Sequence, residues 1–236
     1  MFQKKLLAHK GVSALAPENT LSAFKKALEL GFGGIELDVH LSKDGYLVVC
    51  HDETVDRTTN GKGRIKDLRL EEIKKLDAGS WFAKSFAGEQ IPTLEEVFML
   101  FADRHFVFNL ELKSGIIFYP EIERKLVAFL QELHCIDRVI VSSFNHYSLV
   151  TINKLDEEIK TGMLYYEVLV KPWEYAQQLK VYSLHPFHHT VTEEMIAESS
   201  KHGFKVIPFT VNEKDIALSF IKWGAEYIIT DNVSVL

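Results

Sequence analysis

Residues 33–51 read GGIELDVHLSKDGYLVVCH, and this pattern predicts a buried strand followed by a return strand. In residues 35–39 apolar side chains alternate with two carboxylates, which is the period of a β-strand. Glu36 and Asp38 are two positions apart, so both side chains point to the same face. The Asp44-Gly45 pair predicts a tight turn between the two strands.

The carboxylate pair and the histidine that follows it are candidates for chemistry. Two like charges on one face repel each other and resist burial, whereas a divalent cation between their oxygens stabilises both. Glu36 and Asp38 are therefore candidate metal ligands. The return strand ends on His51, a candidate general acid or base. The alternative left open by this stretch is that the carboxylates form surface ion pairs and that His51 is a structural residue.

Composition bounds the class of protein. The chain has 236 residues, of which 47% are hydrophobic and 25% charged, which is typical of a soluble globular protein. The net charge of -6 argues against a nucleic-acid partner and against attachment to an anionic membrane. Neither a signal peptide nor an integral membrane segment is evident, so we expect a cytoplasmic protein.

The cysteines and the overall pattern add little about partners. Cys50 and Cys135 both lie within apolar patterns, and we expect reduced, buried thiols rather than a disulfide framework. The sequence does not distinguish a monomer from a homo-oligomer.

Strand and helix patterns alternate along most of the chain. A first strand ends near His9, a helix follows a cap at Asn19 or Thr20, and the next strand is the one in residues 33–51. The alternation resumes at Pro92 and continues to Asp231. About eight parallel strands in one domain, residues 1–236, predict an α/β protein with a (β/α)8 TIM barrel. The alternative is an open doubly wound sheet, but no GxGxxG turn follows the first strand.

Residues 53–90 depart from this alternation. They contain a loop, a short amphipathic run with Leu70 and Ile73, and three aromatic residues. We predict an inserted loop and helical segment after the second strand, covering one end of the domain. Packing against the body of the fold is the expected role of Phe86, whereas that of Trp81 is left open.

A barrel would bring six of these polar residues together. In TIM barrels the chemistry lies at the carboxyl ends of the strands, where side chains distant in sequence meet around one rim. The residues predicted at or near such ends are His9, Glu36, Asp38, His51, Glu111 and Lys113. Glu111 and Lys113 repeat the two-residue spacing that directs both side chains to one face. The convergence of carboxylates, histidines and a lysine favours a functional site over a set of accidental ion pairs.

The same residues carry a family resemblance. The motifs His9-Lys10-Gly11, Pro17-Glu18-Asn19-Thr20, Glu36-x-Asp38, His51-Asp52 and Glu111-x-Lys113 resemble those of the glycerophosphodiester phosphodiesterase family. Four further segments resemble the family as well, so the resemblance covers nearly the whole chain in order; they are residues 54–61, 91–94, 209–212 and 228–231.

The resemblance implies a fold, a reaction and a cofactor. The family has a TIM barrel with a small insertion after the second strand, and it hydrolyses glycerophosphodiesters to sn-glycerol 3-phosphate and an alcohol with Mg²⁺ or Ca²⁺. This chain has Lys10 where the family usually has arginine, which keeps the charge but loses the planar fork that binds phosphate in two places. It has Phe209 where the family often has tryptophan, so that apolar wall is smaller.

Roles follow from the chemistry and the resemblance together. Glu36, Asp38 and Glu111 would hold the metal, while Lys10 and Lys113 would bind phosphate oxygens. The alternative for Lys113 is an ion pair with a carboxylate. His9 is assigned as the base and His51 as the acid, and the order of these two roles is left open. The first nucleophile is either water or the glycerol 2-hydroxyl.

Other residues are expected to support this site. Glu18 is expected to support the metal or the histidines, and Asn19 to cap the first helix or orient the site loop. His185, near a predicted strand end, is a candidate pocket residue or a structural one. The other histidines, His105 among them, are expected to be structural.

Two competing functions remain. A related lysophospholipase D or sphingomyelinase D shares the plan of two histidines and an acidic cluster, and would act on a lipid. A phosphate-binding barrel without catalysis would lack a histidine or a carboxylate, and this chain has the complete set.

Overall fold

The computed structural model describes residues 2–101 and 106–232, so His105 lies outside the described residues. Within these ranges nine strands form one sheet. They are β1 Leu6–His9, β2 Gly34–Leu41, β3 Leu47–Val49, β4 Val107–Leu112, β5 Val139–Ser143, β6 Lys160–Tyr165, β7 Ser183–Pro186, β8 Lys205–Val206 and β9 Ile228–Thr230.

Eight of these strands form the wall of a barrel. Parallel neighbours follow the order β8-β7-β6-β5-β4-β2-β1-β9. The two ends of this order are joined by backbone hydrogen bonds, because Glu226 N donates to Val206 O at 2.9 Å and Ile229 N donates to Pro208 O at 3.0 Å. The eight strands therefore close into a ring. This confirms the predicted (β/α)8 barrel and excludes the alternative of an open sheet.

The hairpin predicted from residues 33–51 is present. β3 pairs antiparallel with β2, with Val39 opposite Val49. Gly45 in the turn has a φ of +87°, a conformation that glycine adopts without steric cost. β3 ends at Val49, and the N–H of the next residue, Cys50, donates to Asp38 O at 3.1 Å. His51 therefore follows close to the carboxylate pair of β2.

β8 is short and spans only Lys205–Val206. Its regular pairing ends at Val206, although the backbone of Phe209 still bridges to Phe187 in parallel. Ile207 N and Phe209 N still donate to Leu184 O and Pro186 O of β7, and the regular pairing is interrupted because Pro186 and Pro208 have no N–H to donate.

Side chains alternate between the barrel interior and the layer under the helices. The interior below the rim is filled by a small apolar cluster of Leu7, Ile140, Leu164, Ile207, Phe209 and Ile229. Ile35, Leu37 and Val39 of β2 point the other way, into the larger core between the sheet and the helices. Glu36 and Asp38 are therefore on the interior face, as their spacing predicted.

The described residues contain eight α-helices. They are α1 Leu21–Glu29, α2 Leu70–Ile73, α3 Leu94–Leu100, α4 Ile122–Glu132, α5 His146–Leu155, α6 Pro172–Leu179, α7 Glu193–Lys201 and α8 Lys214–Trp223. Threonine hydroxyls cap three of them, at Thr20, Thr93 and Thr192, each accepting from a backbone N–H of the first turn. None of the helices in residues 2–101 and 106–232 has both the length and the apolar character needed to cross a bilayer.

The segment predicted as an insertion, residues 53–90, contains α2 and two short 3₁₀ helices, Ile65–Asp67 and Lys84–Phe86. Its apolar side chains form a separate small core with Val48, Cys50 and Ile91. The segment begins directly after His51-Asp52, so its first loop lies beside the rim.

Candidate active site

Three carboxylates meet at the carboxyl ends of β2 and β4. Oxygens of Glu36, Asp38 and Glu111 all lie within 4.8 Å of one another. The register of the parallel strands explains this, because Asp38 lies directly opposite Glu111. Asp38 Oδ1 is buried and accepts no hydrogen bond from the described residues, although a lysine nitrogen lies near it. A hard dication fits this set, since it prefers carboxylate oxygens and would satisfy the orphaned one.

The protonation of these carboxyls reflects their crowding. Burial and the charge of Asp38 raise the pKa of Glu36 to about 8. Burial also raises the pKa of Glu111, although the Lys113 ammonium partly offsets it. The pKa of Asp38 lies below its ordinary value despite burial, because Lys113, His51 and Lys10 favour its charged form. When no cation is bound, Glu36 is therefore the carboxyl that holds a proton near neutral pH. A dication would displace that proton.

The two predicted phosphate-binding lysines flank the carboxylates. Lys113 Nζ lies 2.9 Å from Glu111 Oε1 and 3.5 Å from Asp38 Oδ1. Burial lowers its pKa, but these two carboxylates more than offset that effect, so the group is held charged. On the other side, the Lys10 backbone N–H donates to Glu36 Oε2 at 3.0 Å. The Lys10 Nζ lies 3.6 Å from Glu18 Oε1.

His9 is held by a residue from the last strand. Its Nδ1 lies 2.6 Å from Asp231 Oδ1, across 222 positions of sequence. Asp231 also accepts from Ser13 Oγ at 3.1 Å and from Asn212 Nδ2 at 3.1 Å. Burial would raise the pKa of Asp231, but these hydrogen bonds and the His9 charge hold it well below its usual range. An ionised carboxylate only accepts, so Nδ1 carries the proton and Nε2 faces Glu36, 3.8 Å away.

The charge around His9 favours its protonated form. Burial lowers the pKa of His9, but the hydrogen bond to Asp231 and the charges of Glu36 and Asp231 outweigh it, so the pKa lies above its ordinary value. The ring therefore sits where it can take up a proton readily.

His51 has a partner next to it in sequence. Its Nδ1 lies 2.7 Å from Asp52 Oδ1, so its Nε2 is again the free nitrogen. The backbone carbonyl of His51 lies 3.3 Å from His40 Nε2, and the His40 ring is fully buried against Tyr119. A charge on His51 favours the ionised forms of Asp38 and Glu111, so both histidines lie at one cluster.

Arg57 connects the loops on which His51 and Lys10 stand. It donates to Asp52 through Nε at 2.7 Å and through a terminal nitrogen at 3.0 Å. It also makes two hydrogen bonds of 2.8 Å to the two oxygens of Glu18. These contacts hold the pKa of Asp52 well below its usual range and outweigh the effect of burial on Glu18, whose pKa is also lowered.

Asn19 supports the acidic cluster instead of capping the first helix. Its Nδ2 donates to Asp38 Oδ2 at 2.8 Å, while Thr20 supplies the helix cap. The backbone of Asn19 has a φ of +56°, which asparagine tolerates better than most residues. The second of the two predicted roles, orientation of the site loop, is the one that these contacts match.

Phe209 lines a small open cavity beside the carboxylates. The other lining residues are His9, Glu36, Asn109, Glu111, Leu164 and Ile229. His185 lies deeper in the barrel, fully buried, with its Nε2 2.8 Å from Ser183 Oγ. Burial lowers the pKa of His185 to about 3, so the ring is neutral. These contacts match the structural alternative for His185 better than the pocket one.

The sequence singled out the two histidines but not the residues that hold them. Asp231, Asp52 and Arg57 received no role, although all three lie in segments that resemble the family. For Asp52 the adjacency to His51 was a usable signal. For Asp231 and Arg57 the contacts depend on barrel closure and on the path of the inserted loop, which local patterns do not specify.

Comparisons with known proteins agree with this geometry. The sequence profile described as the glycerophosphoryl diester phosphodiesterase family matches residues 9–235. A glycerophosphodiester phosphodiesterase of Caldanaerobacter subterraneus subsp. tengcongensis is 53% identical over 231 residues, which cover 98% of this chain and 95% of the relative. One of Bacillus altitudinis is 40% identical over 230 residues, covering 96% of this chain and 94% of the relative.

A solved structure shares both fold and sequence. The structure of a phosphodiesterase of Oleispira antarctica, in complex with the product sn-glycerol-3-phosphate, superposes with a TM-score of 0.85 at 32% identity. The match covers 96% of this chain and 92% of that one. The length of the matches and their identity leave one assignment: this chain belongs to the glycerophosphoryl diester phosphodiesterase family.

Proposed function

We propose that this chain is a metal-dependent hydrolase that cleaves glycerophosphodiesters to sn-glycerol 3-phosphate and an alcohol. The observation that carries the proposal is the convergence of the Glu36, Asp38 and Glu111 carboxylates within 4.8 Å of one another, with His9 Nε2 3.8 Å from Glu36. A buried acidic cluster beside a histidine is costly unless it serves a cation and a proton transfer. The product in the Oleispira antarctica structure and the names of the relatives support the same substrate class.

Binding of the phosphodiester falls to the cation site and the two lysines. Glu36, Asp38 and Glu111 would hold Mg²⁺ or Ca²⁺, which when bound supplies charge neutralisation and polarises a phosphoryl oxygen. Lys10 and Lys113 offer fixed positive charges to the remaining oxygens, because both ammonium groups are mostly buried at the edge of the cluster. Phe209 offers an apolar wall to the carbon skeleton of the bound glycerol group.

Proton transfer falls to the two histidines. His9 Nε2 takes the proton from the nucleophile, either water or the glycerol 2-hydroxyl, as the new P–O bond forms. His51 Nε2 gives a proton to the leaving alcohol oxygen as the old P–O bond breaks. If a cyclic phosphate forms first, water opens it with the two roles reversed. The net reaction consumes one water, and Asp231 and Asp52 stabilise the charged rings during it.

Product analysis tests this proposal directly. We expect the purified protein with Mg²⁺ or Ca²⁺ to release glycerol 3-phosphate from glycerophosphocholine, glycerophosphoethanolamine and glycerophosphoglycerol. Release of a phosphorylated alcohol together with free glycerol would contradict the assigned bond. Absence of any product with all three substrates and both metals would contradict the function.

One surface feature favours the second candidate, a phosphodiesterase acting on lysophospholipids. Among the described residues, the five large apolar side chains that are at least 76% exposed all lie in the loops after β4 and β6 or in the first turn of α5, which follows β5. We call this set the apolar rim; it consists of Ile116, Phe118, Tyr147, Val168 and Val170. Exposed apolar side chains grouped at the catalytic end of a barrel suit an acyl chain better than a water-soluble headgroup.

Paired substrates separate the two candidates. Lysophosphatidylcholine and glycerophosphocholine share the scissile region and differ by the acyl chain. If the lipid candidate is correct, Phe118→Ser lowers kcat/KM for the lysophospholipid more than for glycerophosphocholine. Met99→Ser, at an apolar side chain 71% exposed on α3, is the matched control and leaves both rates unchanged. Equal effects of Phe118→Ser on the two substrates would exclude the lipid candidate.

A further inference from the structure

Arg57, in the first loop of residues 53–90, donates four hydrogen bonds from all three of its side-chain nitrogens. Two of its N–H groups face the oxygens of Glu18 and two donor contacts face Asp52, at distances of 2.7 to 3.0 Å. Both carboxylates are thus bound in two places by one planar group. Glu18 comes from the loop after β1 and Asp52 from the end of the hairpin, so one side chain joins two separate loops.

Each of these carboxylates has a second contact that leads into the proposed active site. Asp52 accepts from His51 Nδ1 at 2.7 Å. Glu18 lies 3.6 Å from Lys10 Nζ. The contacts therefore run in one unbroken chain, Lys10–Glu18–Arg57–Asp52–His51, from a proposed phosphate-binding group to a proposed acid.

We propose that Arg57 is a positioning residue that sets the His51 imidazole and the Lys10 ammonium relative to each other, so that a phosphodiester held by Lys10 presents its leaving oxygen to His51. This inference rests on the proposed function. It adds a role for the inserted segment, which supplies the group that ties the acid to the phosphate-binding lysine.

Stability alone does not account for the arrangement. The Arg57 side chain is 46% exposed, and ion pairs that reach solvent contribute little to the free energy of unfolding. The guanidinium instead orients its partners. It fixes the plane of each carboxylate, and through Asp52 it fixes the rotation of the His51 ring. Removing a group that hydrogen-bonds to a metal-ligating histidine typically lowers activity roughly 10- to 100-fold, and we expect an effect of similar size here.

The shape of the guanidinium gives the first experiment. A lysine at position 57 keeps the charge but reaches one carboxylate at a time, so Arg57→Lys and Arg57→Ala should both lower kcat/KM about 10-fold or more. The matched control is Arg64→Ala, which removes the same charge from an exposed position in the same segment and should leave kcat/KM unchanged. Thermal unfolding of all three should stay close to that of the wild type.

Variants of Asp52 and Glu18 separate the contacts that lead from Arg57 to His51 from those that lead to Lys10. Asp52→Asn interrupts the His51 arm and should mainly lower kcat, whereas Glu18→Gln interrupts the Lys10 arm and should mainly raise KM. Arg57→Ala should show both effects. Millimolar guanidinium should restore part of the activity of Arg57→Ala, because the site is open to solvent, and methylammonium at the same concentration should not.

The assay is release of glycerol 3-phosphate from the substrate that the wild type turns over best. No release by the wild type would defeat the proposed function, and is thereby distinguished from failure of the present inference. With an active wild type, full kcat/KM in Arg57→Lys, or a loss in Arg64→Ala equal to that in Arg57→Ala, would overturn the positioning role. A loss in Arg57→Ala with unchanged Tm and rescue by guanidinium would support it.

Discussion

The two proposed catalytic histidines have the same immediate partner and different surroundings. Each donates from Nδ1 to an aspartate, at 2.6 Å for His9 and at 2.7 Å for His51. The His9 side chain is 20% exposed and its partner comes from the far end of the chain, while the His51 side chain is 37% exposed and its partner is the next residue. One pair is built by barrel closure, and the other is built by a loop.

This difference indicates how each ring is kept in place. Asp231 is held by Ser13 and Asn212 at adjoining strand ends, so the orientation of His9 follows from the barrel itself. Asp52 is held by Arg57, whose segment has its own small core. The His51 side of the site therefore depends on how the inserted segment packs, whereas the His9 side does not.

Removal of the proposed cation has the largest expected effect on activity. We expect exhaustive chelation to abolish phosphodiester hydrolysis and Mg²⁺, Ca²⁺ or Mn²⁺ to restore it, because the buried carboxylates need a counter-charge to bind an anionic substrate. Asp38→Asn should reproduce the chelated state with an unchanged circular dichroism spectrum. Full activity after chelation would contradict the assignment of the metal.

The pKa of Glu36 gives this prediction a pH dependence. With a pKa of about 8, Glu36 is mostly protonated below that pH when no cation is bound, and a cation must displace the proton to use the oxygen. The concentration of Mg²⁺ needed for half-maximal activity should therefore rise as the pH falls from 9 to 6. A metal requirement that does not change over this range would argue against Glu36 as a ligand.

Loss of either imidazole comes next. His9→Ala and His51→Ala should each lower kcat by roughly 10²-fold or more, with a smaller change in KM, because the metal site and the lysines still hold the phosphate. The double variant should lose less than the product of the single losses, because the two groups act in one reaction. The control is His134→Asn at an exposed position with a φ of +49°, which asparagine tolerates. Near-normal turnover by either alanine variant would exclude the two-histidine mechanism.

Replacing the aspartates sharpens the comparison. Asp231→Asn should cost about 10²-fold in kcat, since an amide can donate to Nδ1 and stabilise the wrong tautomer in a ring that nothing else orients. It should also lower the pKa of His9, which Asp231 now raises, and move the acidic limb of the kcat/KM profile to lower pH. Asp52→Asn should cost only about 10-fold, because solvent reaches that ring. The reverse order would show that the loop, not the barrel, holds the more important ring.

Lys10 has the smallest expected effect. Lys10→Arg should retain activity or lower KM, since the guanidinium adds a second contact to phosphate. Lys10→Ala should raise KM or lower kcat, because one fixed charge is lost. Steady-state kinetics on glycerophosphocholine measures both, and wild-type values in Lys10→Ala would show that the side chain does not bind substrate.

The comparison also indicates which features could be predicted from the sequence. The strand period of residues 33–51 predicted that Glu36 and Asp38 share a face, and the count of strands predicted the barrel that brings Glu111 beside them. The partner of His9 could not be predicted in this way, because Asp231 meets it only through the pairing of β1 with β9, the first and last strands of the chain. The shortness of β8 required attention to Pro208, whose missing N–H outweighs an otherwise favourable strand pattern.

The division of work between the two histidines is tested most directly by changing the leaving group. A 4-nitrophenyl phosphodiester of glycerol releases a weakly basic phenolate that needs little help from an acid, so the ratio of its kcat to that of glycerophosphocholine reports on the acid alone. If His9 is the base and His51 the acid, this ratio rises much more in His51→Ala than in His9→Ala, each compared with the wild type. A larger rise in His9→Ala would contradict the account by exchanging the two roles.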